Sequence, residues 1–194
     1  MNERNDKKMI KKIIGNIIKL FNFNYYSKFV GVNSKDYKSI RFIGKNIEFG
    51  SEPYLITIGE HVTISSNVKF ITHDGGTWVF RRDKKLKQYF KYGKIIIKDN
   101  VFIGLNSIIL PNIEIGNNTI IGAGSVVTKS VPDNSVVAGN PAKYICSIEE
   151  YTEKIVKECP NYNLENYKKN KKEEVLKIYS NYKLKNKIRD DKNE

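Results

Sequence analysis

The chain has 194 residues, 40% of them hydrophobic, and a formal charge of +13, which suits one globular domain with appendages. Among its 34 basic residues only Arg4, Arg41, Arg81, Arg82 and Arg189 are arginine, the side chain that reads bases by bidentate contacts, so nucleic acid is not the expected partner. Cys146 and Cys159 offer no disulfide framework and no metal-type spacing, and no apolar run reaches the roughly 20 residues that span a bilayer.

Taken in chain order, residues 1–40 read as a basic, helical extension. Ile10, Ile13, Ile14, Ile17, Ile18 and Phe21 fall at helical intervals, with Lys8, Lys11, Lys12 and Lys19 between them, the pattern of an amphipathic helix. Lysines, Gly15 and Asn16 break the apolar run, unlike the core of a signal peptide. A cytoplasmic location is therefore expected.

A six-residue beat follows. From Ile97 the units are IKDNVF, IGLNSI, ILPNIE, IGNNTI, IGAGSV and VTKSVP. Their first positions are Ile97, Ile103, Ile109, Ile115, Ile121 and Val127; their fifth are Val101, Ser107, Ile113, Thr119, Ser125 and Val131, all small or β-branched. Gly104, Gly116 and Gly122 take the second position. The beat also reads upstream as IGKNIE from Ile43, IGEHVT from Ile58 and ISSNVK from Ile64, with Phe70 at the next first position. Neither a helix nor a strand has this period. A short strand plus a tight turn does. Three such units close a triangular coil, and stacked coils share one continuous core. Residues 41–146 are assigned to this domain. The helix before it is suited to cap the coil's open end, which solenoids require; the other reading is peripheral contact with an anionic membrane at the inner face.

The beat stops after His73 and resumes at Ile95 to Ile97. The excursion between, residues 74–93, is long for a connection within a domain. It carries Trp78, Phe80, Tyr89, Phe90 and Tyr92, which argues against free disorder. It also carries Arg81, Arg82 and four lysines, suited to an anionic group such as a diphosphate; a merely solvated loop is the plainer alternative. His73 ends a coil where the wall opens. An imidazole is the side chain best matched to general-base work near neutral pH. Asp74, Glu60 or a backbone carbonyl are the groups considered for orienting its ring. Trp78 either walls an acceptor pocket or packs the loop down. His61, at a fourth position, is read as an outward turn residue.

The run IIIKDNVFIGLNSIILPNIEIGNNTIIGAGSVVTKSVPDNSVVAGNPAK resembles the hexapeptide-repeat acyltransferases, above all the maltose, galactoside and serine acetyltransferases. The resemblance implies a left-handed parallel β-helix, homotrimers, and acetyl-CoA bound in a groove between subunits. It places the catalytic histidine at His73, and Ala123, Gly124, Thr128, Lys129 and Lys143 along the coenzyme groove. Phe102 stands where the maltose enzymes often carry tryptophan, and Leu105 where the galactoside enzyme has a polar group. The implied activity is direct acetyl transfer to a sugar or nucleotide-sugar hydroxyl, in cell-surface polysaccharide synthesis; the aromatic and cationic make-up of the excursion puts Trp78, Arg81 and Arg82 toward the acceptor. N-acylation of an amino-sugar nucleotide and a non-catalytic assembly role are the alternatives. A γ-carbonic-anhydrase-type zinc site needs three histidines; His61 and His73 are the only two, so no metal is expected.

Beyond Cys146, residues 147–194 read as a helical tail. SIEEYTEKIVKEC opens with Ser147 and Glu150 in capping-box spacing, and a second helix is expected over residues 173–182.

Overall fold

The computed structural model describes residues 3–43, 46–160 and 162–180. It divides into two compact units, Met1–Thr152 and Glu153–Glu194.

The first unit is a coil with three parallel faces. One face stacks Asn33–Ser34, Ile56–Ile58, Ile95–Ile97 and Ile113–Ile115. The second stacks Arg41–Phe42, Thr63–Ile64, Val101–Ile103, Thr119–Ile121 and Ser135–Ala138. The third stacks Lys69–Phe70, Ile108–Ile109 and Val126–Val127. Ile95 pairs with Ile113 and Val101 with Thr119, so one full coil takes 18 residues, or three units. Across the excursion the offset grows to 39, as between Ile56 and Ile95. A last strand, Lys143–Ser147, turns back antiparallel on Ser135–Ala138 after Pro141.

The beat points inward as its period requires. Ile58, Ile64, Phe70, Ile97, Ile103, Ile109, Ile115, Ile121 and Val127 are all buried, as are the fifth-position residues from Val101 to Val131. The corners turn at the fourth position, where His61, Asn67, Asn100, Asn106, Asn112 and Asn118 take positive φ, a conformation asparagine tolerates better than most residues. His61 heads a corner ladder: its Nδ1 meets Asn100 Oδ1 at 2.8 Å, Asn100 donates to Asn118 at 2.8 Å, and Asn118 to Asn134 at 2.9 Å. This histidine is a turn residue. Gly116 serves a different need, since a Cβ there would stand 2.5 Å from the Asp133 nitrogen.

Two expectations are corrected. Ile43 does not point inward: Phe42 pairs with Ile64, which places Phe42 in the core layer and leaves Ile43 41% exposed. The phase slips by one residue on the way to Ile47 and Phe49, both buried. Nor does the apolar stripe of the first helix, α1 (Glu3–Phe21), cap the coil. That is done by α2 (Phe23–Val30), begun by the Asn22 cap and ended by Gly31 at φ 100°. Phe23, Tyr26 and Val30 of α2 pack on the core. Phe23 and Tyr26 form an aromatic plug with Phe42, Phe49 and Phe70, Phe49 stacked on Phe70 at 5.7 Å between ring centroids. Asn24 donates to the carbonyl oxygens of Tyr37 and Ile40, tying α2 to the first rungs.

Ser147 and Glu150 form the expected capping box at the start of α3 (Ile148–Glu158): the Ser147 N–H donates to the Glu150 carboxylate and the Glu150 N–H to the Ser147 hydroxyl. In the second unit, α4 (Leu164–Lys169) and α5 (Lys171–Tyr179) follow, with the Asn163 N–H donating to Glu174 at 3.0 Å. The part of the second predicted tail helix past Ser180 lies outside the described residues.

Candidate active site

Phe70 closes the first rung of the third face, and Thr72 is still fully buried. Beyond it the chain leaves the coil and comes back to the same place. The Asp74 N–H donates to the Lys91 carbonyl at 2.8 Å, the Gly93 N–H to the Thr72 carbonyl at 2.9 Å, and His73 bridges Tyr92 antiparallel. The excursion therefore has a narrow neck, and His73 stands in it.

The carboxylate beside His73 is Glu52. Its Oε2 lies 3.0 Å from His73 Nδ1 and accepts from the Thr72 hydroxyl at 2.6 Å. The Glu52 side chain is only 14% exposed, against 42% for His73. Burial pushes the Glu52 carboxyl up, but the hydrogen bonds from Thr72 and His73, the His73 charge and a bond to Ser51 outweigh it, and the carboxyl sits below its ordinary range. An ionised Glu52 can only accept. In the neutral ring the proton therefore belongs on Nδ1, facing Glu52, and the lone pair on Nε2, an arrangement open to general-base work with an orienting carboxylate.

Asp74 has other work. Its carboxylate accepts from the Gly76 N–H at 2.9 Å, capping the short helical turn Gly75–Val79, and pairs with Lys91 at 3.5 Å. Glu60 is also elsewhere, on the wall of a separate groove with Lys98 and Asp99.

His73 opens onto a cleft of about 350 Å³, lined also by Glu52, Trp78, Arg81, Phe90 and Tyr92. That volume suits a small ligand. The Tyr92 ring meets His73 edge-on, with centroids 6.3 Å apart. The Arg81 guanidinium lies 3.7 Å from the Phe90 ring centroid and 5.8 Å from that of Trp78, a cation held between two aromatic faces. Trp78 is 74% exposed, so it walls the cleft instead of packing the loop down. Arg82 is exposed and outside the cleft lining.

The residues assigned to the coenzyme lie outside this cleft. Thr128 and Lys129 follow Val127 as Ile71 and Thr72 follow Phe70, so they share the His73 corner two coils along, about 10 Å at the ordinary spacing of strands. Ala123 and Gly124 turn the preceding corner, and Lys143 begins the antiparallel return strand. All five are exposed. A Cβ at Gly124 would meet nothing within 4 Å. The corner at Gly124 is open, and Lys129 and Lys143 are exposed. Among the described residues no group of three or more metal-ligating side chains comes together.

Known proteins of this kind pair the same coil with acyl chemistry. Residues 94–129 match the family model described as bacterial transferase hexapeptide (six repeats), and the chain belongs to the hexapeptide-repeat acetyltransferases. Within that family it is similar to protein CapG of Staphylococcus aureus, with 58% identity over 123 residues that take in 63% of this chain and 70% of CapG. It is 41% identical over 113 residues to the galactoside O-acetyltransferase of Lactococcus lactis, about half of each chain at 52%. Among solved structures, the maltose O-acetyltransferase from Clostridium difficile 630 superposes with a TM-score of 0.53 at 26% identity, covering 75% of this chain and 89% of that one.

Proposed function

We propose that the chain moves an acetyl group from acetyl-CoA to a hydroxyl of a sugar or nucleotide sugar, in the assembly of a cell-surface polysaccharide. The observation that carries this is the Glu52-oriented His73 facing a cleft of about 350 Å³ with aromatic walls. The sugar acceptor is supported by the names of the galactoside and maltose enzymes the chain resembles. His73 Nε2 takes the proton of the acceptor hydroxyl as its oxygen bonds the acetyl carbon. The carbon–sulfur bond breaks, and His73 returns the proton to the departing thiolate. Backbone N–H groups along the groove stabilise the oxyanion. Glu52 stabilises the imidazolium between the two transfers, and Trp78 and Arg81 hold the acceptor.

The coil winds left-handed, as the family resemblance implies, and works as a homotrimer in the cytoplasm. The Lys129 edge of one subunit and the His73 cleft of a neighbour then form one groove, with Ala123, Gly124, Thr128, Lys129 and Lys143 along the coenzyme. This arrangement accounts for the exposure of all five in the single chain.

The test is release of coenzyme A from acetyl-CoA over a panel of sugars and nucleotide sugars, with matched amino sugars. Turnover on hydroxyl acceptors, reduced about 10²–10⁴-fold by His73→Ala, is expected. Turnover on the amino acceptors alone turns the reading to N-acylation. Equal activity of the His73→Ala variant leaves only a structural role for the coil.

A further inference from the structure

The first helix is packed back to front. Helix α1 meets α2 through Gly15, which is buried; a Cβ there would stand 3.2 Å from the Phe29 ring and 3.8 Å from that of Tyr26. Lys11 lies over the Phe29 ring at 5.7 Å. The opposite arc holds Met9, Ile10, Ile13, Ile14 and Ile17, between 44% and 58% exposed. An amphipathic helix of a globular protein ordinarily turns such a stripe toward its own core. Here the core is already closed by the rings of α2, and the stripe faces outward.

We propose that this stripe seats the protein on an anionic lipid surface. The chemistry is that of an interfacial helix: apolar residues on one face, with the exposed Lys11 and Lys12 on the intervening turns. A second copy is the poorer occupant, because a chain already at +13 repels another like it. The inference does not depend on acetyl transfer, since no residue of the cleft lies on α1.

Co-sedimentation of the full chain with vesicles tests it. Binding is expected to vesicles of phosphatidylcholine mixed with phosphatidylglycerol and not to phosphatidylcholine alone, and it weakens with added salt. The double variant Ile13→Glu, Ile17→Glu should bind the mixed vesicles at least about tenfold more weakly, with its solution mass and thermal transition unchanged. Should that variant lose its cooperative transition, Met9→Ser with Ile10→Ser, on the same stripe, is read in its place. Failure of the wild type to bind mixed vesicles overturns the proposal. So does equal binding by the folded variant, or a fall in oligomer mass on substitution without any vesicle binding, which assigns the stripe to a second copy.

Discussion

At the scale of single residues, the proposed chemistry rests on two side chains 21 positions apart, Glu52 and His73, joined at 3.0 Å. On the proposed mechanism Glu52→Gln keeps an acceptor near Nδ1 but loses the charge that stabilises the imidazolium, and acetyl transfer should fall by about 10²-fold or more. Asp74→Asn should leave the pH profile of transfer in place and loosen only the excursion. Stability carries a second signature. The Glu52 carboxyl is held below its ordinary 4.5 when folded, so the native state binds fewer protons than the unfolded chain in that window. Its contribution is complete above about pH 4.5 and fades as the pH drops through the folded value. Urea unfolding should therefore find Glu52→Gln about 1–2 kcal/mol less stable near neutrality, with the gap closing in acid. His73 is legible from the place where the beat stops, but its partner is neither Asp74 beside it nor Glu60. The signal for Glu52 lay in the stacking. Phe49 stacks on Phe70 one coil earlier, and three residues on from each stand Glu52 and His73.

At the scale of elements, the corners bear the cost of the tight coil. Asn118 sits at φ 53° and links Asn100 to Asn134, while Gly116 makes room for the Asp133 backbone. Asn118→Ala combines left-handed strain with two lost hydrogen bonds, and about 1–3 kcal/mol of destabilisation is expected. Gly116→Ala forces the next coil aside and should cost about 1–3 kcal/mol as well. Thermal melting of both variants checks these values. The six-residue period was readable because every inward position repeats it. Its phase at Ile43 was not, since a single inserted residue before Phe49 moves the core layer to Phe42 without removing apolar residues from the pattern. Similarly, the spacing of isoleucines in α1 marks an apolar face but not which way it turns. The small contact surface at Gly15 decides that.

At the scale of the whole molecule, an aromatic plug closes one end of the solenoid. Phe49, 5% exposed among Tyr26, Phe42 and Phe70, anchors it; Phe49→Ala should cost about 3–5 kcal/mol in denaturant unfolding. The coenzyme edge is legible only as exposed small residues and lysines, because on the proposed reading its other wall belongs to a neighbouring subunit. The most direct test is a crystal structure of the protein with coenzyme A, read as the distance from the coenzyme sulfur to His73 Nε2. The account predicts a trimer with that sulfur at a seam between subunits, within two contact distances of roughly 3–3.5 Å each from the nitrogen, which leaves room for one acceptor oxygen. A coenzyme bound along another face, with His73 turned away from its sulfur, would contradict it.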